Sequence, residues 1–192
     1  MTETAVEIPG YVAGTWTIDP VHSEVSFVAR HMVVRKVRGR FDKFEGTIVT
    51  ATDPLQSSVN ATVDLSSVNT GEPNRDNHIR SADFFEVESH PTMTFKSTGI
   101  RPDGDNFLLD GDLTIRGVTR KVPLHVTYLG QWQTPWWEGN VDKGPKTRAG
   151  FVASVEINRH DFGVSWNSPL DGGGVVVGNT VEITIDAEAI LT

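Results

Sequence analysis

Phe107-Leu108-Leu109-Asp110-Gly111-Asp112-Leu113-Thr114-Ile115-Arg116-Gly117-Val118-Thr119-Arg120-Lys121-Val122-Pro123-Leu124-His125-Val126-Thr127-Tyr128 is the stretch that decides the fold. Phe107, Leu109, Gly111, Leu113 and Ile115 fall on one side of an extended chain, and Asp110, Asp112 and Thr114 on the other. After the link Arg116-Gly117-Val118-Thr119 the apolar positions resume as Val122, Leu124, Val126 and Tyr128. Successive side chains of a strand point to opposite faces, so this period of two predicts two strands. One dry and one wet face per strand is the pattern of antiparallel pairing.

The same alternation recurs on both sides of this hairpin. Val25, Phe27 and Ala29 share a face, as do Val59, Ala61, Val63 and Leu65. Phe151, Ala153, Val155 and Ile157 form another set, and Val181, Ile183, Ile185, Ala187, Ala189 and Leu191 close the chain. About eight such runs without a clear helix between them predict a closed barrel or a sandwich. Pro102-Asp103-Gly104-Asp105 carries hairpin-turn chemistry. Helical breaks are expected at two places, Pro73 to Phe84 and His31 to Val37. Residues 133–147, with Pro135-Trp136-Trp137, Gly139 and Lys143-Gly144-Pro145-Lys146, read as a mobile loop, and Trp132, Trp136 and Trp137 as a lid, a partner surface, a membrane-edge contact or a loop folded on its own rings. Asp171-Gly172-Gly173-Gly174 reads as a second loop.

A chain of 192 residues suits a single domain, here a short extension (1–13) followed by one barrel domain (14–192). The net charge of −8 argues against nucleic acid and against simple electrostatic docking on an anionic membrane. There are no cysteines, which excludes disulfides, thiolate metal sites and cysteine nucleophiles. The acidic start, Met1 to Gly10, contains no apolar run, and no segment has the length of a spanning helix. Both point to a cytoplasmic protein without stable membrane insertion.

The alternation breaks once, between Val68 and Phe95, where charge crowds beside aromatic rings. Thr70, Arg75-Asp76, His78-Ile79, Ser81, Asp83-Phe84-Phe85, Pro91 and Thr94-Phe95 stand there in order. Trp16 to Phe27, Gly111 to Arg120 and Ile157 to Gly163 supply three further segments in the same register. Together these resemble the YceI-like family of lipocalin-like polyisoprenoid-binding proteins, over roughly residues 14 to 190. His160 is an uncommon filler in the last segment.

The resemblance implies an all-β fold, an extended eight-stranded antiparallel lipocalin-like barrel with one or two short helical segments, whose bore holds a long isoprenoid chain. The residues alone leave the interior open to two readings. Small positions such as Ala29, Ala61, Gly111, Ala153 and Ala187 among Phe27, Phe95, Phe107 and Phe151 suit either an apolar tunnel or an interlocked solid core. On the tunnel reading, Phe27, Met32, Phe41, Phe44, Phe84, Phe85, Met93, Phe95, Phe107, Leu109, Leu113, Phe151 and Trp166 are the candidate wall. Arg75, His78 and Arg80 are candidates for a head group at the mouth, while Arg75 and Asp76 also suit a structural role, fixing their loop through charge-assisted hydrogen bonds.

The resemblance implies a bound isoprenoid lipid, of the quinone or prenyl phosphate class, as the expected partner, with no other cofactor and no metal. Asp76 and His78 are too few for zinc, and no His-Glu-x-x-His or Gly-x-Ser-x-Gly motif occurs. The competing reading is an enzyme on a small apolar substrate, which requires His22, His31, Asp76 and His78 to converge on the cavity. A homodimer is expected only by analogy with the family.

Overall fold

A computed structural model describes residues 6–192. The expected part of the extension that spans residues 1–5 lies outside the described residues. Three strand paths are interrupted and five are continuous. The first path is β1 (Gly14–Ile18) and β2 (Glu24–His31), the second β3 (Arg35–Phe41) and β4 (Phe44–Thr50), the third β5 (Ser58–Asp64) and β6 (Val68–Asn69). β7 (Thr92–Asp103), β8 (Asn106–Ile115), β9 (Val118–Glu138), β10 (Val141–Asn158) and β11 (Val177–Leu191) follow.

All pairings are antiparallel. The order runs β1-β4-β5-β7-β8-β9-β10-β11, and Trp16↔Leu191, Thr17↔Ile190 and Ile18↔Ala189 close the ring. The result is an eight-stranded closed barrel. β11 is long enough to hold β1 with its last residues and β2 with its first, so β2, β3 and β6 prolong the wall at one end. Closure leaves few unpaired edges that could template pairing with another chain.

Turn chemistry fixes the registers. Ile115 faces Val118 across a two-residue turn in which Arg116 (φ 51°) and Gly117 (φ 72°) both have positive φ. That geometry matches the right-handed strand twist. In the Asp103↔Asn106 hairpin Gly104 alone takes positive φ (61°), the first central position that glycine favours.

The one α-helix among the described residues, α1 (Pro73–Arg80), stands where the first helical break is expected. Glu72 caps it by accepting from the Asn74 and Arg75 N–H groups, and Pro73 opens it, where its missing N–H costs nothing. The second expected break is corrected: His31 to Val37 forms the β2–β3 hairpin, with His31 opposite Arg35. Met32 and Val33 take positive φ (49° and 63°), which reverses the chain between the strands instead of starting a right-handed helical turn. The expectation of a mobile loop at 133–147 is corrected too. β9 and β10 run on as a paired ribbon, Thr134 opposite Lys146 and Gln133 opposite Thr147, and only Gly139-Asn140 turn the chain. The Pro and Gly residues there mark irregular spots in a ladder, not its end.

The wall stays thin through glycine. Phe27 lies directly opposite Gly39, and a Cβ at Gly39 would come within 2.4 Å of the Phe27 ring. Gly111 stands the same way beneath Phe95, at 2.2 Å. Each ring therefore lies flat against the neighbouring strand rather than reaching for the axis.

Candidate ligand-binding site

The barrel is hollow. Inward positions such as Phe27, Ala29, Val59, Ala61, Phe95, Phe107, Phe151 and Ile185 are only partly buried although they face the axis, because the space before them is unfilled. Two chambers follow one another along that axis. The narrower, about 200 Å³, is lined by Val25, Phe44, Ile48, Val59, Ala61, Val63, Met93, Phe95, Phe107, Leu109, Leu113, Phe151, Ala153 and Ile185 among others. The wider, about 520 Å³, lies under α1 and is lined by Phe27, Phe41, Ile79, Phe84, Phe85, Met93, Phe162, Val164, Trp166 and Val181 among others. Met93 and Ile183 line both chambers, which therefore adjoin.

Most of the expected wall residues meet here. Phe44, Phe95, Phe107, Leu109, Leu113 and Phe151 line the narrow chamber, Phe27, Phe41, Phe84, Phe85 and Trp166 the wide one, and Met93 the junction. Met32 is a correction. It sits in the turn after β2 with φ 49° and 43% exposure, and its side chain lines neither chamber. The turn carries it past the end of the wall before the alternation could aim it inward.

The wide chamber has a polar rim. α1 reaches it through Glu72, Asn74, Arg75 and His78, and β2 through Arg30 and His31. His78 Nε2 lies 2.8 Å from Asp83, and its ring meets the edges of Phe84 (5.0 Å between centroids) and Trp166 (4.7 Å). Arg75 donates to Thr70 Oγ1 at 2.7 Å and to the Thr70 carbonyl at 3.0 Å while bordering the chamber. Buried Asp76 accepts from the N–H and hydroxyl of the same Thr70. Arg75 and Asp76 thus fix the loop before α1 through a shared threonine. Arg80 is a further correction: it turns away from the mouth and donates to the carbonyls of Ser66 (2.7 Å) and Val68 (3.0 Å), pinning α1 to the wall.

Sequence reasoning missed Arg159. It is 4% exposed, borders the wide chamber, and donates to the carbonyls of Val164, Trp166, Val177 and Gly178. Burial pushes this guanidinium below its ordinary pKa. Its signal was the alternation itself, since Arg159 continues the inward series Phe151, Ala153, Val155, Ile157. His31 likewise continues Val25, Phe27 and Ala29. At the other end, Ile8 and Tyr11 of the extension line the narrow chamber, and Tyr11 donates to the Ala51 carbonyl at 2.9 Å.

The groups that an enzyme reading needs are dispersed. His22 bonds Asp19 where β1 breaks from β2, His31 stands at the rim, Asp76 is spent on Thr70, and His78 on Asp83. Asp19, His22 and Glu188 do gather their ligand atoms within 4.8 Å, but the Arg148 guanidinium bonds both carboxylates there.

A closed antiparallel barrel with one capping helix and a hollow apolar interior defines a lipocalin-like barrel protein. The profile of the YceI-like domain matches residues 16–189, and the chain belongs to the YceI-like family. It is 38% identical over 156 residues to protein YceI of Escherichia coli, an alignment covering 80% of this chain and 78% of that protein. The crystal structure of a Campylobacter jejuni YceI protein superposes with a TM-score of 0.69 at 25% identity, covering 85% of this chain and 90% of the other. The structure of a polyisoprenoid binding domain from Saccharophagus degradans matches with a TM-score of 0.65 at 19% identity, covering 94% and 100%. Among the described residues no helix is long and apolar enough to cross a membrane.

Proposed function

We propose that this chain is a non-catalytic binding protein that holds an isoprenoid lipid in its bore for carriage, storage or sequestration. One observation carries the reading: two adjoining apolar chambers that share Met93 and Ile183, with arginine and histidine side chains lining the wide one alone. A prenyl chain needs no directional contact there. Each methylene taken from water contributes roughly 0.8 kcal/mol, so several isoprene units outweigh the cost of ordering the chain. The branched chain of an isoprenoid suits two adjoining apolar chambers of about 520 and about 200 Å³. The head group, a quinone ring or a prenyl phosphate, would lie in the wide chamber near Arg75, His78 and the buried Arg159. Likeness to the polyisoprenoid binding domain of Saccharophagus degradans supports the ligand class.

The test is organic extraction of protein purified from its native host, read by mass spectrometry. An isoprenoid lipid released in near-stoichiometric amount is the expected result. A blank extract, or only straight-chain acyl lipids, overturns the reading. Substituting His78 by Ala and repeating the extraction asks whether the head group uses that ring; unchanged occupancy and unchanged lipid identity remove it from the contact set.

A further inference from the structure

Between Glu24 and Asp42 the sequence carries no carboxylate and five cations: Arg30, Arg35, Lys36, Arg38 and Arg40. In a chain with a net charge of −8 this is a pronounced local reversal. The β2–β3 hairpin folds them together. Arg30 stands directly opposite Lys36, His31 opposite Arg35, and Val28 opposite Arg38. Like charges placed opposite each other weaken a strand pair, so the arrangement is not one that stability alone favours. Lys36 is offset by Glu182 at 3.2 Å and Arg40 by Asp42 at 2.8 Å. Among the described residues no carboxylate lies within ion-pair distance of Arg30, Arg35 or Arg38.

The tip of the same hairpin is apolar and in water. Met32 is 43% exposed, Val33 60% and Val34 86%. Met32 and Val33 hold positive φ (49° and 63°), a conformation that glycine or asparagine adopts easily and a β-branched valine does not. Large side chains therefore occupy a turn that polar ones would form at lower cost. The tip overhangs the wide chamber: Arg30 and His31 border it from β2, Val176 and Val177 from the facing segment, and Met32 N–H donates to the Val176 carbonyl at 2.8 Å.

We propose that the β2–β3 hairpin is a docking edge for the surface of an anionic lipid bilayer. Met32, Val33 and Val34 would enter the interfacial layer while Arg30, Arg35 and Arg38 meet lipid phosphates. An exposed apolar tip set in unpaired cations is the pattern of interfacial binding, and charge complementarity selects anionic lipid over a neutral or basic partner. The negative net charge is no obstacle, because attraction to a surface is governed by the charges within a Debye length of it, and distant acidic groups are screened. Of the acidic groups at this end, Asp76 is bonded to Thr70, Asp83 to His78 and Glu182 to Lys36, which leaves Glu72 on the rim and Asp171 in the glycine loop against Arg30, Arg35 and Arg38. The purpose of the edge, passage of the ligand between bilayer and bore, rests on the carrier reading of the bore.

Sedimentation with phosphatidylcholine vesicles, with and without phosphatidylglycerol, tests the edge. The whole protein is expected to co-sediment with the anionic vesicles, to release at high salt, and to ignore the neutral ones. Each cation removed should weaken binding about fivefold, as measured with Arg30→Gln, Arg35→Gln and Arg38→Gln. Val33→Asp with Val34→Asp should abolish it, with circular dichroism and extractable lipid as checks on folding. Equal binding to both vesicles, or binding lost with Trp132→Ala and Trp137→Ala on the β9–β10 ribbon but kept in the hairpin variants, overturns the proposal. No binding by a protein whose extract contains lipid also overturns it, while an empty extract with intact anionic-vesicle binding counts against the carrier reading alone. Selective capture of a protein partner through the tip, with no vesicle binding, assigns the edge to protein contact instead.

Discussion

The Arg116 guanidinium donates to the carbonyl of Phe84 at 2.8 Å and thereby ties the β8–β9 turn to the segment that follows α1. The same nitrogen reaches the Gly163 carbonyl at 3.3 Å, and the second nitrogen pairs with Glu86 at 3.3 Å. One side chain at a positive-φ turn position so holds two loops over the end of the barrel. Phe84 is thereby kept against Trp166, 5.5 Å between ring centroids.

Arg116→Ala should loosen this cap without opening the barrel. Freed carbonyls partly shielded from water cost about 1–3 kcal/mol. Chemical denaturation should register a loss of that size. Hydrogen exchange should accelerate in residues 79–91 and leave β10 and β11 unchanged; uniform acceleration along the chain would refute a local role.

Gly39→Ala tests why the bore is open. The added Cβ meets the far end of the Phe27 ring at 2.4 Å, and the ring can yield only toward the axis. Crowding of this kind costs about 1–3 kcal/mol. The wide chamber should shrink, and lipid recovered per mole of protein should fall. Full occupancy in this variant would show that Phe27 does not bound the ligand.

Ala153→Phe should act on the narrow chamber, which Ala153 lines. The ring fills apolar space, so thermal stability should hold or rise while long prenyl chains lose their place. A shift in the extract toward shorter isoprenoids, read by mass spectrometry, is the expected signature.

Arg159→Met removes the donor that serves four carbonyls. The methylenes are replaced but the hydrogen bonds are not, and several buried acceptors lose their partner at once. A loss of about 3–5 kcal/mol in urea unfolding follows. A loss below about 1 kcal/mol would mean that water replaces the guanidinium readily.

Asp19 sets an acid limit. Burial alone would raise its carboxyl pKa, but hydrogen bonds from His22, Arg148 and the Val21 N–H hold it below the ordinary value. In the unfolded chain an Asp titrates near 3.9. A folded pKa below that gives stability that is present above about pH 4 and is lost as pH falls through the folded value. Below about pH 4 the unmodified protein should therefore lose stability more steeply than Asp19→Asn, as followed by urea midpoints across the acid range.

The barrel was legible because a strand writes its two faces directly into the sequence. Phe107 to Ile115 and Val122 to Tyr128 needed only their own alternation, and the Arg116-Gly117 turn its own backbone preference. The helix was legible in Pro73 and the broken alternation around it. The β9–β10 ribbon was not, because Pro135 and Pro145 carry loop chemistry locally and yet stand opposite each other in the ladder. Arg80 and Met32 failed for a similar reason: proximity in sequence to a mouth does not fix the direction of a side chain.

Which residues face inward was determined by the sequence alone, since period two follows from the geometry of the extended chain. Whether those residues fill the interior was decided by tertiary structure. Phe27 lies flat only because Gly39 stands opposite it, and Phe95 because Gly111 lies beneath it, and such pairings depend on the register between strands. Composition fixes the volume of the side chains; only closure of the ring from Trp16 to Leu191 fixes the volume they must fill.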